Sequence, residues 1–373
     1  MFAFSPRPEY PIDRDLERLA RKIDASMTRN WTIMEASGEQ TRMLFEHGVD
    51  SLLPEKLNIV HGPGCPIAAV PVDLLDHAIS LARRPAQDVI LCTPNDFLRL
   101  PGRNGDLLQA KMDGHDLRVV HSSMDALKIA REQTDGKKVV YFNAGFAPSL
   151  QMDALAVWQA RKQGIDNFFL LSSHASVPAV LNHILAEKDS IVDAILAPGQ
   201  ICTITGFAEY EALSRTYGIP IAVTGFDAKD ILEGILKCVS MLEGGRFGVD
   251  NQYKRAVNRQ GNVEARALID TVFEPATRLW RGLGGVANGG FTLRAAFADY
   301  DALRVFPLDT TSSDGHCQTH ADECISHEII RGLKKPSDCP YFGKACKPDM
   351  PLGATMISAQ GSCSAYYQRL RAI

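Results

Sequence analysis

Seven short apolar runs recur between Asn58 and Phe226, in the strings NIVHGPGC, DVILCTP, LRVVHSS, KKVVYFNAGF, NFFLLSSH, DAILAPG and IPIAVTGF. Helical patterns such as PVDLLDHAISLARR and SMDALKIAREQ separate several of them. Continuous Val, Ile, Leu and Phe runs of this length, alternating with helices, describe parallel strands covered on both faces. The expected fold class is therefore α/β, with at least two such units between Trp31 and Phe226. Several runs stop at Gly, Pro, Ser or Asn. In open α/β sheets the carboxyl ends of the strands are where ligand sites collect.

An amphipathic helix is expected ahead of this region, from Asp13 to about Ser26, with Leu16, Leu19 and Ile23 on one face. After Asp230 the pattern changes. The helix DILEGILKCVSMLEGG leads into a stretch with fewer strand signals, rich in proline toward its end. This part reads as a separate, loop-rich domain that a metal would help to hold together.

Bulk properties narrow the function. The chain has 373 residues, a length that favours two or three domains over one core. Its net charge of −4, without long runs of either sign, gives no pull toward nucleic acid or anionic membranes. No stretch approaches the roughly 18 apolar residues that a membrane span needs. Acidic residues and prolines in MFAFSPRPEYPIDRD do not suit a signal peptide, so a cytoplasmic location is expected. In that reducing compartment, nine cysteines point to metal or redox chemistry before structural disulfides.

Five of those cysteines fall at or after Cys317, spaced Cys317-x6-Cys324-x14-Cys339-x6-Cys346, with Cys363 beyond. Four thiolates can close a zinc site or hold an iron–sulfur cubane. Zinc knuckles usually place their ligands two to four residues apart, so the six-residue gaps favour a [4Fe–4S] cluster over zinc. The neighbours in DGHC and CPYFGKACKP are polar or turn-forming, unlike a stripe of core cysteines. His316 and His320 flank the first thiol as support or exposed residues, and Cys363 is a packing or supporting thiol.

Cys65 is the candidate reactive thiol. It sits in HGPGCP after a strand, where glycines allow close approach and proline stiffens the turn. It is a candidate catalytic residue and a candidate additional metal ligand. Cys92 and Cys238 read as core, and Cys202 stands at a strand end. His174 closes the run LLSSH and is a second catalytic candidate, although a satisfied structural histidine is the commoner outcome. Asp96 follows CTPN as a cleft candidate, Asp230 fits a helix cap, and His61 supports the glycine turn.

The strings HGPGCP, SMDALKIA, LAPG, GFDAKDIL, DNQYKR, WRGLG, CPYFGKACKP and GSCSAYY occur together and in order. With them the chain resembles the HypD family of nickel–iron hydrogenase maturation proteins over nearly its whole length. The resemblance implies two Rossmann-like parallel-sheet domains around a cleft and a C-terminal loop- and helix-rich domain with a [4Fe–4S] cluster. The implied division is 27–140, 141–228, and 229–373 joined by the N-terminal helix 1–26. It carries the cluster ligands over to Cys317, Cys324, Cys339 and Cys346. It also implies a scaffold on which iron acquires cyanide and carbon monoxide, a small HypC-like chaperone, a HypE-like cyanide donor and an electron donor.

The departures from that family are chemical. The family's Cys-Gly-Gly-His-Thr-His motif reads Ser37-Gly38-Glu39-Gln40-Thr41-Arg42 here, and its Cys-Pro-x-Cys pair reads Cys65-Pro66-Ile67-Ala68. Its Gly-Phe-Glu-Thr-Thr stretch reads Gly145-Phe146-Ala147-Pro148-Ser149. A serine hydroxyl is a poor ligand for soft iron, and one thiol cannot form the disulfide of a CxxC pair. Ser37, Glu39, Gln40 and Arg42 are therefore expected to redecorate the cleft for other work. That work would be assembly or carriage of an iron unit, or redox or ligand-transfer chemistry. Ordinary assembly of the cyanide- and carbonyl-bearing iron unit is one alternative reading. A non-catalytic regulatory protein is another.

Overall fold

The computed structural model describes residues 14–85, 88–103, 105–133, 135–307 and 324–371. Eleven strands appear among them: β1 (Trp31–Glu35), β2 (Leu57–His61), β3 (Val89–Thr93), β4 (Leu117–Val119), β5 (Lys138–Asn143) and β6 (Phe168–Ser172). They continue as β7 (Ala194–Pro198), β8 (Pro220–Thr224), β9 (Gly248–Asn251), β10 (Phe273–Trp280) and β11 (Gly284–Leu293).

The apolar runs become parallel strands in two sheets. One is ordered β2-β1-β7-β8-β9 and the other β4-β3-β5-β6. Every pairing within them is parallel. Strands β3, β7 and β8 are buried along their whole length, as burial on both faces requires.

Sheet membership does not follow the expected division at 140/141. The chain builds β1 and β2, crosses to lay down all four strands of the second sheet, and returns for β7 to β9. Sequence order misleads here because β1 pairs with the next strand, β2, on one side and with the distant β7 on the other.

Residues beyond the carboxyl ends of strands in both sheets meet in one core. Ala36 after β1 and Val60 in β2 share a core with Phe146 and Ala147 after β5 and Ala175 after β6. The N-terminal helix Arg14–Ser26 buries Leu19 and Ile23 against Ile231, Leu232 and Ile235 of the helix Ala228–Glu243. Asp230 lies in the first turn of that latter helix, whose N-cap position is Asp227. Asp230 instead accepts from Arg255 Nη1 at 2.8 Å, so its burial is compensated by an ion pair and it is not the cap.

Past β9 an antiparallel hairpin, β10–β11, docks onto the loop after β6, where Ser176 N donates to Gly289 O at 3.1 Å. The described C-terminal residues are loop-rich, with short helices Ser326–Ile330 and Ser362–Arg371 around a small core of Ile329, Phe342, Met356 and Tyr366. The helix Ser362–Arg371 anchors this part to the first sheet. Tyr366 packs edge-on against Phe45 at 4.7 Å, and Arg369 pairs with Asp50 at 3.2 Å. No helix among the described residues is long and apolar enough to cross a membrane.

Candidate functional site

Glu35 and His61 end the adjacent strands β1 and β2 and are direct partners in register. Both are buried, and His61 Nδ1 bonds Glu35 Oε1, which also accepts from the hydroxyl of Thr41. On the other side of the ring, His61 Nε2 is hydrogen-bonded to Tyr366 Oη at 2.9 Å. Glu35 Oε2 has no hydrogen-bond partner among the described residues. Four elements thus meet through one polar chain at the sheet's carboxyl edge.

Ser37 and Cys65 line the cavity that this chain borders. The reason for Ser37 is local. Its hydroxyl accepts from Glu39 N at 3.3 Å and caps the helix Gly38–Glu46, a position serine fills well. Cys65 ends the glycine turn and stands at the N-cap position of the single-turn helix Pro66–Ala69. Burial pushes its thiol up, and the nearby charge of Asp96 acts in the same direction. The backbone of Ala68 and Ile67 and the hydroxyl of Ser358 pull the other way. Asp96 itself is exposed and reaches Cys65 only through this field.

The other cleft candidates lie elsewhere. Gln40 is fully buried and turned into the core, where Nε2 donates to Thr224 Oγ1 at 2.6 Å. Arg42 folds along its own helix to pair with Glu39 at 2.6 Å and with Glu46. Glu39 and Arg42 neutralise one another and do not line the Cys65 cavity among the described residues.

Cys324, Cys339, Cys346 and Cys363 line a second cavity. Cys317, His316 and His320 lie outside the described residues. The donor chemistry suits a metal group. Leu352 N donates to Cys346 Sγ at 3.4 Å, the backbone-to-sulfur contact that supports thiolate charge. Burial first, then the mutual repulsion of sulfurs gathered in one place, pushes the Cys346 and Cys363 thiols up, Cys363 to about 12. A cationic centre reverses that penalty. Among the described residues no set of three His, Cys, Asp or Glu is grouped to hold a single metal ion.

His174 belongs to a separate polar cluster at the end of the second sheet. Nδ1 bonds Ser172 Oγ at 2.8 Å, and Nε2 bonds Ser149 Oγ at 3.1 Å and faces Asp153 Oδ2 at 3.6 Å. Asn143 Nδ2 donates to the same carboxyl oxygen at 3.2 Å. Burial, with Arg278 adding to it, lowers His174 to about 3, and burial raises Asp153 to about 7. The imidazole is neutral and fully enclosed, and the structure does not bring it to Cys65. Cys92, Cys202 and Cys238 are buried and held near 12 by burial.

The HypD family model, described as "Hydrogenase formation hypA family", matches residues 14–369. The chain belongs to the HypD family. Its similarity to the hydrogenase maturation factor HypD of Azotobacter vinelandii is 39% identity over 359 residues, covering 94% of this chain and 93% of that protein. The HypD of Rhodobacter capsulatus is 36% identical over 355 residues, covering 95% and 93%. That of Escherichia coli strain K12 is 34% identical over 365 residues, covering 98% and 96%. The similarity therefore spans both sheets and the C-terminal part.

Sequence reading missed much of the polar chain in this HypD fold. Glu35, Thr41 and Tyr366 are not among the sequence candidates, and His61 is expected only to support the glycine turn. A signal existed: WTIME and LNIVH both end their apolar runs on an ionisable residue. Such a group inside a covered sheet must find a partner. Thr355 and Ser358 left no comparable mark.

Proposed function

We propose that this HypD-family chain holds a [4Fe–4S] cluster through Cys317, Cys324, Cys339 and Cys346. Cys65, in its own buried cavity, serves the assembly or carriage of an iron unit, or transfer of a ligand to one, in a form distinct from ordinary hydrogenase maturation. The single observation behind this reading is the composition of the Cys65 cavity. One thiol lines it together with Ser37, and Ser37 is committed to capping a helix. An iron cargo there finds one soft donor from this chain, so further donors must come from a partner or from the cargo itself. A small HypC-like chaperone and a HypE-like donor fit that need, with a separate electron donor for the cluster.

The chain's own residues supply three things. The glycine turn brings Cys65 to the cavity, Ser358 and the Ala68 backbone favour its thiolate against burial, and the enclosed setting excludes bulk water. A cluster in the neighbouring thiol cavity would supply one-electron chemistry. Expression in a bacterial strain lacking its own HypD tests the distinct role. The expected result is no recovery of hydrogenase activity while the protein accumulates folded. Recovery to the level given by an ordinary HypD would refute it.

A further inference from the structure

Thr355 lines two cavities at once. On one side it faces the thiol cavity with Cys346 and Cys363, and on the other the cavity of Cys65 and Ser37. Its hydroxyl donates to Cys363 Sγ at 3.1 Å. Its neighbour Ala354 packs in the same apolar cluster as Cys65, and Ser358 contacts the Cys65 sulfur. The segment from Gly353 to Cys363 is therefore a wall between the two cavities, one residue thick at Thr355.

That wall has no slack. A Cβ on Gly353 would lie 2.3 Å from Cys324 Sγ, and one on Gly361 would lie 2.0 Å from Thr355 O. On the far side, a Cβ on Gly38, the residue after Ser37, would lie 1.5 Å from Gln360 O. At these three points and at the Thr355–Cys363 hydrogen bond the segment is closely packed on both sides, and close-packed groups transmit a displacement to one another. We infer that metal loading of the thiol cavity sets the position of Cys65, through the wall Gly353–Cys363 acting as one rigid element. Thr355, Gly361 and Gly38 are positioning residues in this scheme.

The inference rests on the reading in which the thiol cavity carries a metal group, and it adds an order of events. Cys65 takes up its working geometry only after the cavity is filled, so an empty chain does not engage an iron unit. Linkage makes the coupling reciprocal: disturbing the Cys65 side must weaken metal binding on the other.

The test uses the full chain purified anaerobically, with its iron and zinc measured and one portion depleted by a chelator. Both portions are treated with iodoacetamide, and labelling of Cys65 and of the distant, fully buried Cys238 is followed by peptide mapping. Depletion is expected to speed Cys65 labelling about tenfold, in the usual range for coupled sites, and to leave Cys238 unchanged. Gly361→Ala is expected to give fast Cys65 labelling without depletion. Gly38→Ala, which touches no cysteine of the thiol cavity, is expected to lower metal content. Equal Cys65 labelling with and without metal overturns the coupling, as does a parallel rise at Cys238, which marks general unfolding. Should neither variant fold, the depletion comparison decides alone. A chain with no metal at all sinks the underlying reading, whereas a metal-loaded chain with insensitive Cys65 sinks only the coupling.

Discussion

Replacing Asp153 with Asn should stabilise the protein at neutral pH and make its stability rise with pH over a window in which the two groups of the parent cancel. In the folded chain burial keeps the Asp153 carboxyl protonated up to about pH 7, against an ordinary value of 3.8. Between those values the folded state holds more protons than the unfolded state, so stability falls as pH rises. His174 acts in the opposite sense. Its folded value of about 3 lies below the ordinary 6.5, so the unfolded state binds the extra proton and stability rises with pH through that window. The two slopes oppose one another from about pH 4 to about pH 6.5. Asp153→Asn removes the first and leaves the second. At about 1.36 kcal/mol per pH unit, the gain at pH 7 reaches about 4 kcal/mol, falling to about 1 kcal/mol near pH 4.5. Urea unfolding followed by far-ultraviolet circular dichroism, for both proteins across that range, measures the two slopes. A variant less stable than the parent at pH 7 would refute the reasoning, because it would mean that Asp153 and His174 are a charged pair.

Tyr366→Phe removes the hydroxyl hydrogen-bonded to His61 Nε2 and leaves that nitrogen buried and unpaired. It should cost about 1 to 3 kcal/mol in the same unfolding assay, and an unchanged midpoint would contradict the assigned hydrogen bond. Ser37→Ala deletes a helix cap and should cost about 1 kcal/mol, so an unaffected variant would return Ser37 to the list of groups free to serve the cavity. Gln40→Leu breaks the bond to Thr224 Oγ1 and should cost about 1 to 3 kcal/mol without altering Cys65 labelling. A change at Cys65 with no loss of stability would place Gln40 in the site after all.

The parallel strands were legible because burial on both faces demands continuous apolar runs, as in VILCT of β3 and AILAP of β7. Their assignment to sheets was not, since nothing local in WTIME specifies that β1 pairs with both β2 and β7. The hairpin β10–β11 was missed for a related reason. β10 alternates in exposure and β11 carries four glycines, and each weakens the apolar signal. At the site, Cys65 could be located because Gly, Pro and Cys after a strand have few other uses. Glu39, Gln40 and Arg42 could not be placed, because a one-residue step around a helix decides between core, surface and cavity. The wall around Thr355 joins residues more than 280 positions from Cys65, a contact that only the folded chain creates.

The central claim is a metal-loaded thiol cavity beside a Cys65 cavity that engages iron. The most direct measurement is iron, acid-labile sulfide and zinc in the anaerobically purified chain, compared with Cys65→Ser. About four irons with matching sulfide in the parent, plus a further iron that Cys65→Ser lacks, is the expected result. Stoichiometric zinc without sulfide, or iron contents that do not differ between parent and Cys65→Ser, would contradict it.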